Sequence, residues 1–439
     1  MSITRYEAYK DSGVKWIGEV PAHWDVIRAK DTVIKIGNGV TPKGGSNVYL
    51  DTGIPFLRSQ NVYDDGLRIS KVSFISQEIH DGMKGSQLKS GDILINITGA
   101  SIGRTCVVPM EFGDANINQH IAFLRTKFWF NSVYISIFLK SPFIKNYIQF
   151  EQNGASKEAF NLNQIANIPL VLPNCTEQQV IANYLDTKIA QIDRKLDLLS
   201  QKATQYSKLK QSLINETVTR GLDKTVPMKD SEVEWIGEIP SHWEVRRVKE
   251  VGDINKSTLS EKTPASYEFD YVDIGSVTYG VKGYTKERMA FDVAPSRAKR
   301  IVQKGDTIIS TVRTYLKAIA TIDEEVSDLI VSTGFAVISP RKEIVDKFCS
   351  YLLTSNCIVD EICALSTGVS YPATNATVIG DLFFLIPPIT EQQAIATYLD
   401  EKTTHIDRIV STINSQIDKL KELRKTLIND VVTGKIKVV

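Results

Sequence analysis

Apolar residues recur in a four-three alternation along two long polar stretches of the chain. The first stretch runs from Leu185 to Tyr206 and the second from Leu399 to Leu420, and every position of the second lies at the same constant offset from its match in the first. A spacing of 3.5 residues with polar residues between is typical of a coiled-coil seam, so we predict two long helices that pair with each other. The expected helix-pairing residues are Leu185, Ile192, Leu196, Leu199, Leu399, Ile406, Ile413 and Leu420.

The start of each helix carries a capping signal. Thr176 with Gln179, and Thr390 with Gln393, fit the S/T-x-x-E/Q capping box, which favours a helix start over a catalytic role for the TEQQ sequence. About 37 residues at 1.5 Å each predict a rod of roughly 55 Å. Because the intervening chain must return between the two stretches, we expect the helices to pair antiparallel.

The alternation changes after its last matched position in each helix. Leu209 and Leu423 follow Tyr206 and Leu420 by three residues, where the next seam position of a regular heptad lies four residues on. This predicts a stammer, which would overwind the helix pair locally.

The segments before these helices have a strand-like pattern. Roughly 140 residues in each are rich in Gly, Pro, Thr, Val and Ile, with runs such as DILINITG and FAVISP. Short β-branched runs bounded by turn residues predict strands. The predicted fold class is therefore α+β.

Half of the chain is a copy of the other half. TEQQVIANYLDTKIAQIDRKL, from Thr176, returns from Thr390 as TEQQAIATYLDEKTTHIDRIV, and LKSGDILIN, from Leu88, returns at the same offset as VQKGDTIIS, from Val302. WIGEVPAHW, from Trp16, returns as WIGEIPSHW, from Trp235, at a slightly larger offset. A period this long indicates domain duplication, so we expect a pseudo-two-fold chain of two β-rich domains separated by two long antiparallel coiled-coil helices.

These repeats set the expected domain boundaries. The first β-rich domain, with its N-terminal WIGE segment, covers 1–175, and the first helix covers 176–220. The linker and the second domain cover 221–389, and the second helix covers 390–439.

Composition excludes several classes of protein. The 439 residues suggest two to four structural units, and 42% hydrophobic with 23% charged residues excludes wholesale disorder. A net charge of +1 excludes a histone-like binder but leaves room for local basic faces. Five Cys without a C-x-x-C disfavour a disulfide framework or a zinc site. No signal-like start and no run near 18 apolar residues are present, so we expect a cytoplasmic protein with no membrane contact.

Catalytic motifs are missing from the sequence. The glycine-rich stretch 37–45 imitates a phosphate-binding loop in composition, but no helical pattern follows it, and neither H-E-x-x-H nor G-x-S-x-G occurs. His23 and His242 occupy the same place in the two Trp motifs, which favours packing or hydrogen bonding over a general base. Cys349, Cys357 and Cys363 are expected in a core as small hydrophobes.

Several polar loops are better candidates for function. Arg, Asn and Gln can pair with DNA base edges at two points, and Ser, Thr and Lys suit phosphates. A solvated loop would have the same composition, so each residue alone is a weak signal. The candidate DNA-binding residues are Lys43, Arg58, Ser59, Gln60, Asn61, Asn96, Thr98, Ser101, Arg104, Arg297, Lys299, Arg300, Arg313, Tyr315 and Lys317.

The order of these motifs resembles a known family over essentially the whole chain. KDSGVKWIGEVPAHW, then IPLVLPNCTEQQVIANYLDTKIAQID, then VTRGLDKTVPMKDSEVEWIGEIPSHW, is similar to the specificity (S) subunit of type I restriction–modification systems, which act in host defence. The two halves of the chain differ from each other in two features. Asn255 to Ser260 lacks the G-x-T-P-K found at Gly39 to Lys43, and the glycines of 99–103 have no match near Val312. Such differences are expected if the two domains read different DNA sequences.

The resemblance implies a non-catalytic subunit that sets DNA specificity. Each target-recognition domain would read one half of a bipartite, asymmetric site in double-stranded DNA, and the helices would act as spacers that dock two methyltransferase (M) subunits. Restriction (R) subunits would complete an ATP-dependent endonuclease. No cofactor is expected in this subunit; S-adenosylmethionine, ATP and Mg²⁺ are implied for the partners, and no metal site is expected.

Two other classes of function are weighed against this one. A coiled-coil protein-interaction scaffold without DNA specificity would share the same architecture. A self-contained nuclease or methyltransferase would need a nucleotide or S-adenosylmethionine site, which the sequence does not show. Readers on one face of B-DNA lie about one helical turn apart, roughly 34–36 Å, a separation that a rod of roughly 55 Å can hold.

Overall fold

The computed structural model describes residues 4–152, 159–278, 283–368 and 371–438 and contains two compact units. Unit 1 comprises Met1–Leu199 and Ser415–Val439, and unit 2 comprises Ser200–Asn414. Each unit contains a mixed helix-and-sheet domain together with one segment of each long helix. The α+β fold class is therefore confirmed.

Unit 1 is built on a four-stranded antiparallel sheet and a three-stranded sheet. Its strands are β1 Tyr9–Asp11, β2 Glu19–Pro21, β3 Asp25–Arg28, β4 Val33–Asn38, β5 Ile54–Leu57, β6 Val62–Tyr63, β7 Gly66–Leu67, β8 Ser73–Ile75, β9 Ile93–Asn96, β10 Thr105–Val107, β11 Asn116–Ile117, β12 Ile121–Thr126 and β13 Pro169–Leu172. The strand order is β10-β9-β12-β4 in the first sheet and β11-β5-β8 in the second. Its helices are α1 Ala29–Thr32, α2 Gln77–Gly82, α3 Ser132–Leu139, α4 Pro142–Gln152 and α5 Leu162–Ala166, followed by the long α6, Cys175–Arg220.

Unit 2 repeats this plan with two four-stranded sheets. Its strands are β14 Met228–Asp230, β15 Glu238–Pro240, β16 Glu244–Arg247, β17 Gly252–Ile254, β18 Glu268–Val272, β19 Glu287–Ala290, β20 Ala298–Ile301, β21 Thr307–Ser310, β22 Ile319–Thr321, β23 Leu329–Ser332, β24 Phe335–Pro340 and β25 Phe383–Ile386. The strand order is β17-β24-β21-β22 in one sheet and β19-β18-β23-β20 in the other. Its helices are α7 Val248–Val251, α8 Asp346–Leu353, α9 Asn356–Ala364 and α10 Ala376–Asp381, followed by the long α11, Ile389–Val432.

The duplication extends to strand register. In unit 1, Ile121 of β12 is opposite Asn96 of β9. In unit 2, Phe335 of β24 is opposite Ser310 of β21, and both of these residues lie at the offset of the sequence repeat from their matches. Because a slip of one residue would turn every side chain to the other face of the sheet, the shared register shows that the same faces are buried in both copies.

The long helices begin earlier than the sequence predicted. Helix α6 has 46 residues and α11 has 44, which correspond to about 69 and 66 Å at 1.5 Å per residue. The side-chain oxygen of Asn174 accepts a hydrogen bond from the Glu177 amide at 2.9 Å, so Asn174 caps α6 and Thr176 lies in its first turn. The capping box predicted at Thr176 is therefore wrong. At α11 the carbonyl of Pro388 accepts from the Glu391 amide.

The two long helices run antiparallel where they pair. In unit 1, the Arg424 Nε lies 2.9 Å from an Asp193 carboxylate oxygen. In unit 2, the Lys210 ammonium lies 2.7 Å from Asp407. Residue numbers rise along one helix as they fall along the other. Of the expected seam positions, the fully buried or nearly buried ones are Leu185, Leu399, Ile406 and Ile413, and the half-buried ones are Ile192, Leu196, Leu199 and Leu420.

The predicted stammer does not occur. Leu209 and Leu423 are each 54% exposed and lie outside the seam. The next seam positions, four residues after Tyr206 and Leu420, are instead the paired cations Lys210 and Arg424. The heptad continues through a charged residue, which an apolar pattern alone does not reveal.

The duplicated Trp motifs are structural, as expected. Trp24 and Trp243 are fully buried. The His23 Nε2 lies 3.1 Å from the Glu177 carboxylate, and the His242 Nε2 lies 2.8 Å from the carboxylate of its counterpart, Glu391. These contacts join each Trp motif to the first turn of a long helix.

Candidate nucleic-acid interface

Three candidate loops of unit 1 meet at one short segment, residues 118–121, which joins β11 to β12. The Ile97 amide donates to the His120 carbonyl at 3.0 Å, at the start of the loop after β9. The Asn118 amide donates to the carbonyl of Leu57, directly before the turn after β5, also at 3.0 Å. The Gly39 amide donates to the Ile121 carbonyl, where the loop containing Lys43 leaves β4. Residues far apart in the sequence thus lie at one edge of the unit.

Side chains of this segment link two of the loops. Thr41 is hydrogen-bonded to Gln119, whose amide nitrogen lies 3.2 Å from the His120 Nε2. The His120 Nδ1 lies 2.6 Å from the Thr98 hydroxyl. Gln119 and His120 were not among the contact residues predicted from the sequence. The available signal was a polar Asn-Gln-His triplet between two apolar strands.

Seven of the nine predicted contact residues in unit 1 are exposed or half-buried. Lys43 and Gln60 are exposed, and the half-buried ones are Arg58, Ser59, Thr98, Ser101 and Arg104. The Arg104 guanidinium carbon lies 4.6 Å from the centroid of the Tyr63 ring, which orients its planar group. The Arg58 Nε is buried and makes no hydrogen bond with the described residues.

Asn61 and Asn96 hold the loops together instead. Asn61 is 2% exposed, and its side chain accepts from the Arg58 amide at 2.9 Å. Asn96 is fully buried, and its amide nitrogen donates to the Ser59 carbonyl at 2.8 Å and to the Ser101 hydroxyl at 3.1 Å. Neither side chain presents its amide to solvent, so neither is placed to meet a base in this conformation.

Unit 2 gathers its loops in the equivalent way. The Thr311 amide donates to the Gly334 carbonyl at 2.8 Å, and this bond is the counterpart, at the offset of the repeat, of the one between Ile97 and His120. The Thr333 amide donates to the Arg297 carbonyl at 2.7 Å. The segment joining β23 to β24 in unit 2 is therefore equivalent to residues 118–121 in unit 1.

Most candidate cations of unit 2 already have partners. Arg297 contacts Asp273 at 3.1 Å, Lys299 contacts Glu261 at 3.0 Å, and Lys317 contacts Asp360 at 3.0 Å. Arg300 donates to the Thr258 hydroxyl at 3.2 Å. Arg313 and Tyr315, in contrast, project from the loop after β21 and are exposed.

Two glycines of unit 1 are replaced by other residues at the matching places of unit 2. Gly99 and Gly103 have φ values of +68° and +79°, and the residues at the matching places of the second copy, Arg313 and Lys317, have φ values of +50° and +51°. The backbone keeps the same left-handed turns although the glycines are gone.

Each unit also contains a cavity beside its helix segments, of about 330 Å³ in unit 1 and about 180 Å³ in unit 2. Cys106, Ser136 and Lys140 line the first; their counterparts Ala320, Ser350 and Thr354 line the second. Burial raises the pKa of Cys106 to about 12 and lowers that of Lys140. The Cys106 thiol therefore stays protonated near neutral pH, and a protonated thiol is a poor nucleophile.

The cysteines of unit 2 are wholly or partly buried. Cys349 is fully buried and burial raises its pKa, while Cys357 and Cys363 are half-buried. Within the described ranges, no three His, Cys, Asp or Glu side chains cluster as metal ligands would. No helix in those ranges combines the length and apolarity needed to cross a membrane.

Comparison with known sequences identifies the duplicated domain. A family model described as "Type I restriction modification DNA specificity domain" matches residues 21–202 and again 240–419. The chain is 25% identical to a putative type I restriction enzyme MjaX specificity subunit from Methanocaldococcus jannaschii, covering 98% of both chains. It is 19% identical to the EcoKI specificity subunit of Escherichia coli K12, covering 95% of this chain and 90% of that one.

Solved structures share the fold. A chain from a structure described as "Structural basis underlying complex assembly and conformational transition of the type I R-M system" superposes with a TM-score of 0.71 at 17% identity, covering 94% of this chain and 98% of that one. The HsdS subunit from Thermoanaerobacter tengcongensis gives a TM-score of 0.51 at 17% identity over 95% and 98%. The family model covers most of the chain in two copies, and the resemblance seen in the sequence is confirmed: the chain belongs to the type I restriction–modification DNA specificity family.

Proposed function

We propose that this chain sets the DNA specificity of a type I restriction–modification complex, with one target-recognition domain for each half of a bipartite site. The observation that carries the proposal is that both units gather polar loops at the same edge through matching backbone hydrogen bonds, while the side chains on those loops differ. Equal scaffolds with different loops suit two readers of different sequences, because base contacts specify and backbone contacts position.

The side chains fall into separate roles under this proposal. Gln60, Arg58 and Arg104 read base edges in the first half-site, and Lys43 contacts phosphate. Arg313 and Tyr315 act in the second half-site. Candidates that already have protein partners serve as supports. This group comprises Asn61, Asn96, Thr98, Ser101, Arg297, Lys299, Arg300 and Lys317.

We propose further that the long helices dock two methyltransferase subunits. Leu209 and Leu423 are equivalent apolar residues, each 54% exposed on a helix surface away from the seam. A repeated apolar point on a duplicated helix suits two copies of one partner. S-adenosylmethionine, ATP and Mg²⁺ would act on the methyltransferase and restriction subunits, and this chain would carry no catalytic residue.

The test is to map methylation in a host that lacks any related system. The full chain is co-produced with its methyltransferase subunits, and the genomic DNA is sequenced for modified bases. A two-part motif with a fixed gap, absent when this chain is omitted, is the expected result. Methylation that does not depend on this chain, or that has no sequence preference, would rule out a specificity role and favour a scaffold.

A further inference from the structure

The loop after β21 in unit 2 keeps a backbone shape that its sequence does not favour. Left-handed φ values suit glycine, since any side chain crowds the following carbonyl there. Unit 1 meets this need with Gly99 and Gly103, whereas unit 2 has Arg313 and Lys317 at the same places. Strained residues of this kind cluster at functional sites, because a side chain is retained there in spite of its strain.

Lys317 has an ion-pair partner, but Arg313 has none among the described residues. The Lys317 ammonium lies 3.0 Å from Asp360 within unit 2. The Arg313 guanidinium makes no hydrogen bond or ion pair with the described residues. The residue in the strained backbone conformation at position 313 is therefore an arginine whose hydrogen-bond donors face solvent.

An aromatic ring fixes the orientation of that group. The Arg313 guanidinium carbon lies 4.8 Å from the centroid of Tyr371, a residue that is 65% exposed. Stacking on a ring occupies the flat face of a guanidinium and leaves its N–H edge free. A free, oriented N–H edge matches the O6 and N7 acceptors that guanine presents in the major groove.

We propose that Arg313, held by Tyr371, is the residue that reads a guanine in the half-site of unit 2. This inference rests on the proposed function, since it assigns a base to one of the two readers. Gly99 occupies the equivalent place in unit 1, so the first half-site has no counterpart of this contact. The substituted glycine position thus distinguishes the two domains chemically.

The experiment compares the methylated motif and the melting temperature of three variants of the full chain, each co-produced with the methyltransferase subunits. Arg313→Gly removes the side chain and fits the backbone, Arg313→Lys keeps the charge without the planar fork, and Tyr371→Ala removes the ring. In all three variants, one position of one half-site that requires G·C should accept other base pairs. In Arg313→Gly the preference for G·C at that position should fall roughly 5- to 150-fold. The melting temperature of Arg313→Gly should stay level or rise.

A matched control separates strain from readout. Glu232 has a φ of +62° and stands where the first copy has Gly13, at +70°, in a turn outside the candidate interface. Glu232→Gly should affect stability like Arg313→Gly and leave the motif unchanged.

The contrary outcomes are distinct. An unchanged motif in Arg313→Gly, or a melting temperature that falls in that variant, would make the side chain structural and overturn the inference. Uniform loss of methylation in both Arg313 variants, without relaxation of one position, would assign it to phosphate and also overturn it. If the unaltered protein directed no methylation to any motif, the proposed function itself would fail.

Discussion

At the scale of single residues, similar side-chain amides in the first domain have different roles. Asn61 and Asn96 are buried: Asn61 binds the backbone of its own loop and Asn96 binds the backbone of the loop after β5, while Gln60 is exposed in that same loop. A sequence lists the amides but does not reveal which of them face the protein, because that depends on the folded loop and, for Asn96, on a partner in another loop. The link from Thr41 through Gln119 to His120 was missed for the same reason.

Substitutions at the proposed base-reading residues of the first domain should have a different effect from a substitution at its proposed phosphate contact. Gln60→Ala or Arg58→Ala should relax one position of one half-site, because a two-point base contact is worth about 1–3 kcal/mol of discrimination. Lys43→Ala should instead weaken binding to all sequences and reduce the salt slope by about one unit, as expected for a phosphate contact. Methylation profiles and binding across salt concentrations distinguish the two, beside a melting curve for each variant. A motif that survives Arg58→Ala with a lowered melting temperature would leave Arg58 a structural role.

The duplicated Gly-Asp motif has diverged in its electrostatics. Asp92 is paired with Arg125, with its carboxylate 2.7 Å from the guanidinium, whereas Asp306 has Ser339 at the place of that arginine. Burial raises the pKa of Asp306, and its Oδ1 makes no hydrogen bond with the described residues. The folded state therefore disfavours the Asp306 carboxylate at neutral pH, and this penalty lessens as the pH falls through the raised pKa.

Replacing Asp306 by an uncharged residue should show how its environment differs from that of Asp92. Asp306→Asn should raise the free energy of unfolding by about 1 kcal/mol at pH 7, because it removes a buried charge and keeps an acceptor for the Gln303 amide. The gain should shrink as the pH is lowered through the folded-state pKa. Arg125→Ala should lower the free energy of unfolding by about 3–5 kcal/mol, since it leaves the Asp92 carboxylate buried alone. Denaturant unfolding at several pH values measures both. A destabilised Asp306→Asn would contradict this interpretation.

At the scale of elements, the long helices were the most predictable part of the chain. Their apolar period reports directly which face is buried, so the seam and the antiparallel pairing followed from the sequence. The stammer and the capping box were wrong because both rested on apolar or polar identity at single positions. Lys210 and Arg424 continue the seam as charged residues, each stabilised by an aspartate of the other helix.

Lengthening both helices should lengthen the gap in the DNA site. Insertion of one heptad after Leu199 and another after Ile417 falls between the pair Asp193–Arg424 and the pair Lys210–Asp407, so both ion pairs are preserved. Seven residues add about 10 Å, or roughly three base pairs. Methylome sequencing should show the same half-sites farther apart. The single insertion after Leu199 is the control, because it shifts the register of the pair and should reduce stability. An unchanged gap in the double insertion would show that the helices do not set the separation.

At the scale of the whole molecule, duplication keeps the frame and varies the loops. The strand register, the paired His and Glu at each helix start and the backbone bond from Ile97 to His120, repeated from Thr311 to Gly334, recur in both copies. Position 99, in contrast, is Gly in one copy and its counterpart at 313 is Arg. The frame was predictable because its signals are periodic or repeated. The reading surface was not, because each loop is held by residues distant in the sequence.

Exchange of one domain tests the central claim, one domain for each half-site, most directly. Residues 25–172 begin and end in the paired strands β3 and β13, where Asp25 lies opposite Leu172, and residues 244–386 begin and end in the equivalent pair. Each segment is replaced by its counterpart from another member of the family, and the methylated motif is sequenced with the same methyltransferase subunits present. The account predicts that each exchange alters one half of the motif, a different half in each case, and leaves the other half unchanged. A change in both halves, or in neither, from a stably folded exchange protein would contradict it.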